Sequence, residues 1–176
     1  MSRIVGTPGR EFVVAGLWCK IRKTGRVAEP APQRPDSPAP VAELARELAG
    51  SVQIRHVDAG SCNGCEVEIA SAFGPVYDAE RYGARLVASP RHADALVVTG
   101  PVTRNMEVAL RRTFEAVPQP RLVVALGDCA RNCGVFAGAY GVAGAVGDVV
   151  PVDVEVAGCP PRPEAIVAAL RGLTGR

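Results

Sequence analysis

No run of apolar residues in this 176-residue chain approaches the roughly 20 that a membrane-spanning helix needs. The segment Phe12–Cys19 (FVVAGLWC) is too short, and no small-residue cleavage site follows it, so neither a transmembrane segment nor a signal peptide is expected. An excess of one charge is also missing. The 20 basic and 18 acidic residues leave a net of +2, which argues against a general nucleic-acid binder. No glycine-rich loop ends in Gly-Lys-Ser/Thr, and no dinucleotide fingerprint follows a strand, so neither a phosphate loop nor a flavin or nicotinamide site is expected. The chain is then expected in the cytosol, where thiols stay reduced. Six cysteines in such a chain point to metal or redox chemistry before a disulfide framework.

What charge there is lies unevenly. Residues 1–34 hold seven basic and two acidic residues, which leaves 13 basic and 16 acidic for the rest. A basic arm (residues 1–29) thus precedes a slightly acidic body, and such an arm suits an anionic lipid surface or an acidic partner. Between them, residues 30–40 (PAPQRPDSPAP) carry five prolines in eleven positions, a stiff extended linker that forms no core. The body, residues 41–176, alternates short apolar runs with helical patterns. Strands are expected at Val52–Val57, Arg85–Ala88, Ala95–Thr99, Leu122–Leu126 and Val152–Val156. Helices are expected at Val41–Ala49, Cys65–Phe73, Asn105–Val117 and Pro163–Leu170. Continuous apolar strands with helices between them imply a parallel sheet covered on both faces. The fold class is therefore a doubly wound α/β domain of flavodoxin-like type.

Four cysteines follow strands. Val52–Val57 leads through Asp58–Ser61 into Cys62 and Cys65. Leu122–Leu126 leads into Cys129, and Val152–Val156 into Cys159. In an open parallel sheet the carboxyl ends of the strands share one edge, where ligands bind. Four thiolates converging there suit an iron–sulfur cluster. A lone Cys-x-x-Cys also fits a zinc knuckle or a redox dithiol. Structural zinc, however, usually takes two close pairs, and a dithiol has no use for Cys129 and Cys159. Of the two remaining cysteines, Cys133 is ranked beside the site and Cys19, in the arm, as a partner contact.

The runs DAGSCNGCEVEIASAFGPVYDAERYG, SPRHADALVVTGPVTRNM, LGDCARNCGVFAGAYGV and VPVDVEVAGCPPRPEAI together resemble a known family. They look like the small subunit of membrane-bound, energy-converting NiFe hydrogenases, including formate hydrogenlyase. That family is similar in turn to the B subunit of NADH:quinone oxidoreductase. The resemblance covers about residues 52–170. It implies a single 4Fe–4S cluster held by Cys62, Cys65, Cys129 and Cys159, beside a catalytic large subunit in the hydrogenases and last before quinone in the respiratory enzyme. It further implies a large-subunit partner, membrane subunits of the same complex, and a peripheral place on the inner face of the cytoplasmic membrane. Respiratory B subunits have two adjacent cysteines at the first site, whereas Cys62-Asn63-Gly64-Cys65 follows the hydrogenase branch. Cys133 stands where much of the family has glycine.

Other residues are candidates beside the cysteines. Glu66 is the better of the two carboxylates after the pair for a proton relay, against the plainer reading that Glu66 and Glu68 face solvent or pair on their helix. Gly64 lets the backbone approach a bulky group. Thr99 and Gly100 open a segment, Thr99–Thr103, expected to wall the site and, through Val102, to meet the partner. Ser89–Asp94 is a polar turn that the resemblance places near the partner, with His92 structural. Gly138, Gly141, Gly144 and Gly147 are expected to fold a loop tightly over the cluster edge or a partner. No second cluster motif and no spare cysteine pair for nickel is present. The chain alone is therefore not expected to turn over substrate, and its role is electron transfer within an oxidoreductase complex.

Overall fold

The computed structural model describes residues 39–48 and 50–176, together with Arg22. The expected basic arm, Cys19 and most of the proline-rich linker fall outside the described residues. Helix α1 (Ala39–Glu47) takes in the last two residues of that linker. Pro40 sits in its first turn, where a missing N–H leaves no helical bond unmade. There follow β1 (Val52–Asp58), α2 (Gly64–Ala72), β2 (Ala84–Leu86), β3 (Ala95–Thr99), β4 (Val102–Thr103) and α3 (Arg104–Ala116). The chain continues through β5 (Leu122–Leu126), α4 (Asp128–Asn132), β6 (Val142–Gly144), β7 (Val154–Val156) and α5 (Pro163–Thr174).

Five strands form one sheet in the order β2-β1-β3-β5-β7, and every neighbouring pair is parallel. The expected doubly wound architecture is the one observed. Its cause is visible along each central strand, where successive side chains alternate between two packed layers. Ala95 and Val97 of β3, with Leu122, Val124 and Leu126 of β5, pack with Val41 of α1, Ile69 of α2 and Ile166, Leu170 and Leu173 of α5. Leu96 and Val98, with Val123 and Ala125, pack on the other face with Leu110 of α3, Ala130 of α4 and Val149 and Val150. A strand covered on both faces has no polar position to spare, so β3 and β5 are fully buried along their length.

One expectation about a partner-facing segment changes here, and a second segment can be located. Val102 is 0% exposed and belongs to the apolar layer with Leu110 and Val146, so it is a core residue and cannot line a free surface. Ser89–Asp94 enters β3 from its amino end and therefore lies at the sheet edge opposite the cysteines. Two of its side chains accept hydrogen bonds there, while Arg91 and His92 are exposed. The Ser89 hydroxyl accepts from the Arg91 N–H at 3.4 Å, and the Asp94 carboxylate accepts from the Gln53 N–H at 2.8 Å. The glycine-spaced segment folds back, with β6 pairing antiparallel to β4.

Candidate metal centre

The sheet register brings the cysteine loops together. Asp58 pairs with Thr99, Thr99 with Leu126, and Leu126 with Val156. These four residues form one row across the carboxyl edge, and each begins a loop at the same height. Cys62 and Cys65 follow the first, Cys129 the third and Cys159 the fourth. Gly100 follows the second. Its φ is +74°, and a Cβ there would stand 2.3 Å from the Ser61 backbone nitrogen. Only a residue without a side chain lets β3 end so close beneath the Cys62 loop. Gly127 (φ +91°) is bare for a different neighbour, since a Cβ would reach the Cys65 sulfur at 2.7 Å.

Cys65, Ile69 and Ala72 form the buried face of α2, which turns the Cys65 thiol inward, and Cys129 is buried at the start of α4. Cys62 and Cys159 are exposed. The Cys65 thiol is pushed up to about 12, first by burial, then by the charges of Glu66, Cys129, Cys62 and Cys159. The Cys129 thiol is raised by burial first and then by Cys159 and Cys62. The charges of Cys62 and Cys159 thus bear on both buried thiols, and four sulfurs gathered in this way form a donor set that a cationic group would satisfy. Among the described residues no three His, Cys, Asp or Glu side chains are grouped tightly enough for a single metal ion. A tetrahedral zinc draws its thiolates to about 2.3 Å from one point. A cluster of several irons takes one thiolate at each iron, so its four sulfurs stand farther apart. The Cys133 thiol is raised by burial first and then by Asp148, and its N–H donates to the Cys129 carbonyl at 2.9 Å.

Glu66, in the first turn of α2, is the acceptor at the centre of a polar string behind the cysteines. One carboxylate oxygen accepts from the Thr99 hydroxyl and the other from the Ser61 hydroxyl at 2.7 Å. The Ser61 oxygen in turn accepts from the Asn63 N–H at 3.0 Å. The Asp58 carboxylate closes the same loop by accepting from the N–H groups of Gly60 and Ser61 at 2.8 and 2.7 Å. Thr99 is fully buried. Since its hydroxyl donates to Glu66, it accepts from His56 Nε2, 2.9 Å away, which assigns the Nε2–H tautomer to a neutral His56. Thr99, Gly100, Gly64 and Glu66 are thus gathered at the cysteine edge. His56, Asp58 and Ser61 join them without having been singled out in the sequence. The signal for His56 was its place in the alternation Val52, Ile54, His56, which points it to the α2 face.

Burial depresses the His56 pKa below 6.5, and this outweighs the neighbouring Glu66 and Asp58, which raise it; Arg55 lowers it further. A depressed pKa means that the unfolded chain takes the proton first. The stability contributed by neutral His56 is whole above about pH 6.5 and is lost as pH falls through the folded-state value. The thermal midpoint of the parent is therefore expected to drop more steeply between pH 7 and 5 than that of His56→Gln. Parallel curves for the two proteins would show that His56 carries no such linkage.

The geometry can be set beside known proteins. The family model described as NADH ubiquinone oxidoreductase, 20 Kd subunit, matches residues 62–173, a span that includes all four converging cysteines. The probable membrane-bound hydrogenase subunit mbhJ of Pyrococcus furiosus is 46% identical over 127 residues, covering 72% of this chain and 76% of its own length. Formate hydrogenlyase subunit 7 of Escherichia coli is 44% identical over 124 residues, covering 70% of this chain and 49% of its own length. The chain thus spans about half of that second relative. Among solved structures, a chain of the membrane-bound sulfane sulfur reductase, an archaeal respiratory membrane complex, superposes with a TM-score of 0.65 at 32% identity. The match covers 76% of this chain and 74% of that one.

Proposed function

Since the chain belongs to the family of the NADH ubiquinone oxidoreductase 20 Kd subunit, we propose that it is an electron-transfer subunit holding one 4Fe–4S cluster through Cys62, Cys65, Cys129 and Cys159. The observation that carries this reading is the convergence of four thiols from three separate strand ends on one edge, where Cys62 and Cys159 both bear electrostatically on the buried Cys65 and Cys129. The cluster supplies reversible one-electron chemistry, and the protein sets its potential through charge, hydrogen bonds and exposure. This chain's own residues provide the cradle. Gly127 keeps a side chain away from the Cys65 sulfur, and Gly64 lies beside the Cys62 sulfur. Thr99 and Ser61 hold the Glu66 carboxylate immediately behind Cys65, where its negative charge disfavours adding an electron nearby. Glu66 is also the residue placed to take or hand on a proton at this edge.

The substrate chemistry belongs to a large partner subunit lying against the cysteine edge, in a membrane-associated complex of hydrogenase type. Support comes from the names of the relatives and from Cys62-Asn63-Gly64-Cys65, which follows the hydrogenase pattern. A quinone-reducing complex is the second reading, favoured by the family's own description. No described helix is long and apolar enough to cross a membrane. Attachment through partner subunits on the inner face of the cytoplasmic membrane belongs to the same reading.

Anaerobic purification of the full chain tests the cluster. About four irons and four acid-labile sulfides per chain are expected, with a broad visible absorbance that dithionite bleaches. A colourless protein carrying zinc would replace the reading with that of a structural adaptor.

A further inference from the structure

The two cysteine loops at the far side of the sheet are joined by a hydrogen-bonded latch. Strands β5 and β7 end their ladder at the pair Leu126 and Val156, yet the contact continues beyond it. The Gly127 N–H donates to the Val156 carbonyl at 2.8 Å and the Asp128 N–H to the Gly158 carbonyl at 2.9 Å. The Gly158 N–H then donates back, at 3.0 Å, to the Oδ1 atom of Asp128. A short carboxylate thus completes the pairing that a backbone carbonyl would make if the strands ran on. Cys129 and Cys159 are the next residues after this two-point contact. Arg131, one turn along α4, holds the arrangement from outside. Its Nη1 lies 3.3 Å from Asp128 Oδ1 and its Nε donates to Glu155 of β7 at 2.9 Å.

From this geometry we propose that Asp128 is a positioning residue for the cluster, fixing the distance between the Cys129 and Cys159 sulfurs. The proposal rests on the reading of those two cysteines as ligands. Both loops reach their cysteine through glycine, Gly127 and Gly158, so the backbone leading to each does not by itself hold this spacing. The side chain achieves it by reach. Oδ1 meets the Gly158 N–H while the same residue's own N–H is committed to the Gly158 carbonyl, so the carboxyl group must sit one methylene from the backbone. Outer hydrogen bonds of this kind orient metal ligands and change both retention and electronic properties of the bound group.

Two substitutions separate reach from charge. Asp128→Asn keeps the acceptor in place and removes the charge. Asp128→Glu keeps the charge and carries the acceptor past the Gly158 N–H, at a helix first turn that tolerates glutamate. Each full-length variant is reconstituted anaerobically with iron and sulfide. Three readouts are taken: bound iron, the rate of iron release to a chelator, and the electron paramagnetic resonance spectrum of the reduced protein. Asp128→Asn is expected to match the parent in release rate and spectral shape. Asp128→Glu is expected to release iron about tenfold faster, with shifted g values. Parent-like behaviour of Asp128→Glu overturns the latch, as does an Asp128→Asn variant that fails as badly as Asp128→Glu. A parent chain that takes up no iron overturns the ligand assignment itself, and the latch with it.

Discussion

Cys129→Ser is expected to strip the purified protein of nearly all its cluster iron, while Cys133→Ser leaves iron content and spectrum unchanged. Cysteine thiolates are the cluster's ligands, and three thiolates with a serine leave one iron without its usual partner. Cys62→Ser, Cys65→Ser and Cys159→Ser are expected to give the same result, because the sheet register brings the loops that carry all four to one edge. Cys133 is four residues from Cys129 and close in sequence to the site, yet its electrostatic neighbour is Asp148. It occupies a left-handed backbone position, φ +65°, where its N–H closes α4 onto the Cys129 carbonyl. Iron and sulfide analysis of each variant decides the matter. Full iron in Cys129→Ser together with loss in Cys133→Ser would exchange the two assignments.

The second large effect is on stability. Val102→Glu is expected to cost several kcal/mol, because the carboxylate enters a site with no exposure among Leu110, Val146 and Val98. A charge buried without a partner carries a penalty of that order, a large share of the roughly 5–15 kcal/mol by which a domain is stable. Val108→Glu, on the outer face of α3 at 56% exposure, is expected to change stability by no more than about 0.5 kcal/mol. Urea unfolding of the two variants measures the difference, and equal midpoints would remove Val102 from the core. The contrast has a practical side. Failure of the Val102 variant to co-purify with a partner reports unfolding, not a lost contact. An exposed position at the cysteine edge, such as Val135 at 85%, reports on the interface instead.

The legible part of this sequence was its doubly covered strands. Ala95–Thr99 and Leu122–Leu126 have the bounds expected, since an unbroken apolar run needs two packed faces and the loops on either side break it. Edge elements were less legible. β7 begins two residues later than expected, because at Asp153 only half of the pairing is backbone: its N–H donates to the Val123 carbonyl at 2.9 Å, while its carboxylate, in place of a carbonyl, accepts from the Val123 N–H at 2.8 Å. Helix α5 runs a turn past Leu170 to bury Leu173 completely, although Arg171 and Gly172 break its apolar pattern. Helix α4 has five residues, too few for any period to show. β4 and β6 pair across a long loop through backbone alone. At the site, the cysteines were legible from chemistry and position. The string from His56 through Thr99 to Glu66 was not, because it depends on which residues of three distant segments share a register, and single-chain patterning does not carry that.

The parallel topology also makes the cysteine constellation a check on completeness. A hairpin-built site can form from a fragment, because its strands are neighbours in sequence. Here every pairing in the five-stranded sheet joins segments separated by a crossover, and such non-local contacts form only after long loops close. Cys159 arrives last along the chain, borne by a three-residue strand with a neighbour on one side only. A chain cut before β7 would retain Cys62, Cys65 and Cys129 but would lack the fourth of the proposed ligands and any lock between the last two loops. That fourth sulfur is present only in a chain that has been made to its final strand, so under the proposed ligand set the loading of iron would be tied to the finished fold.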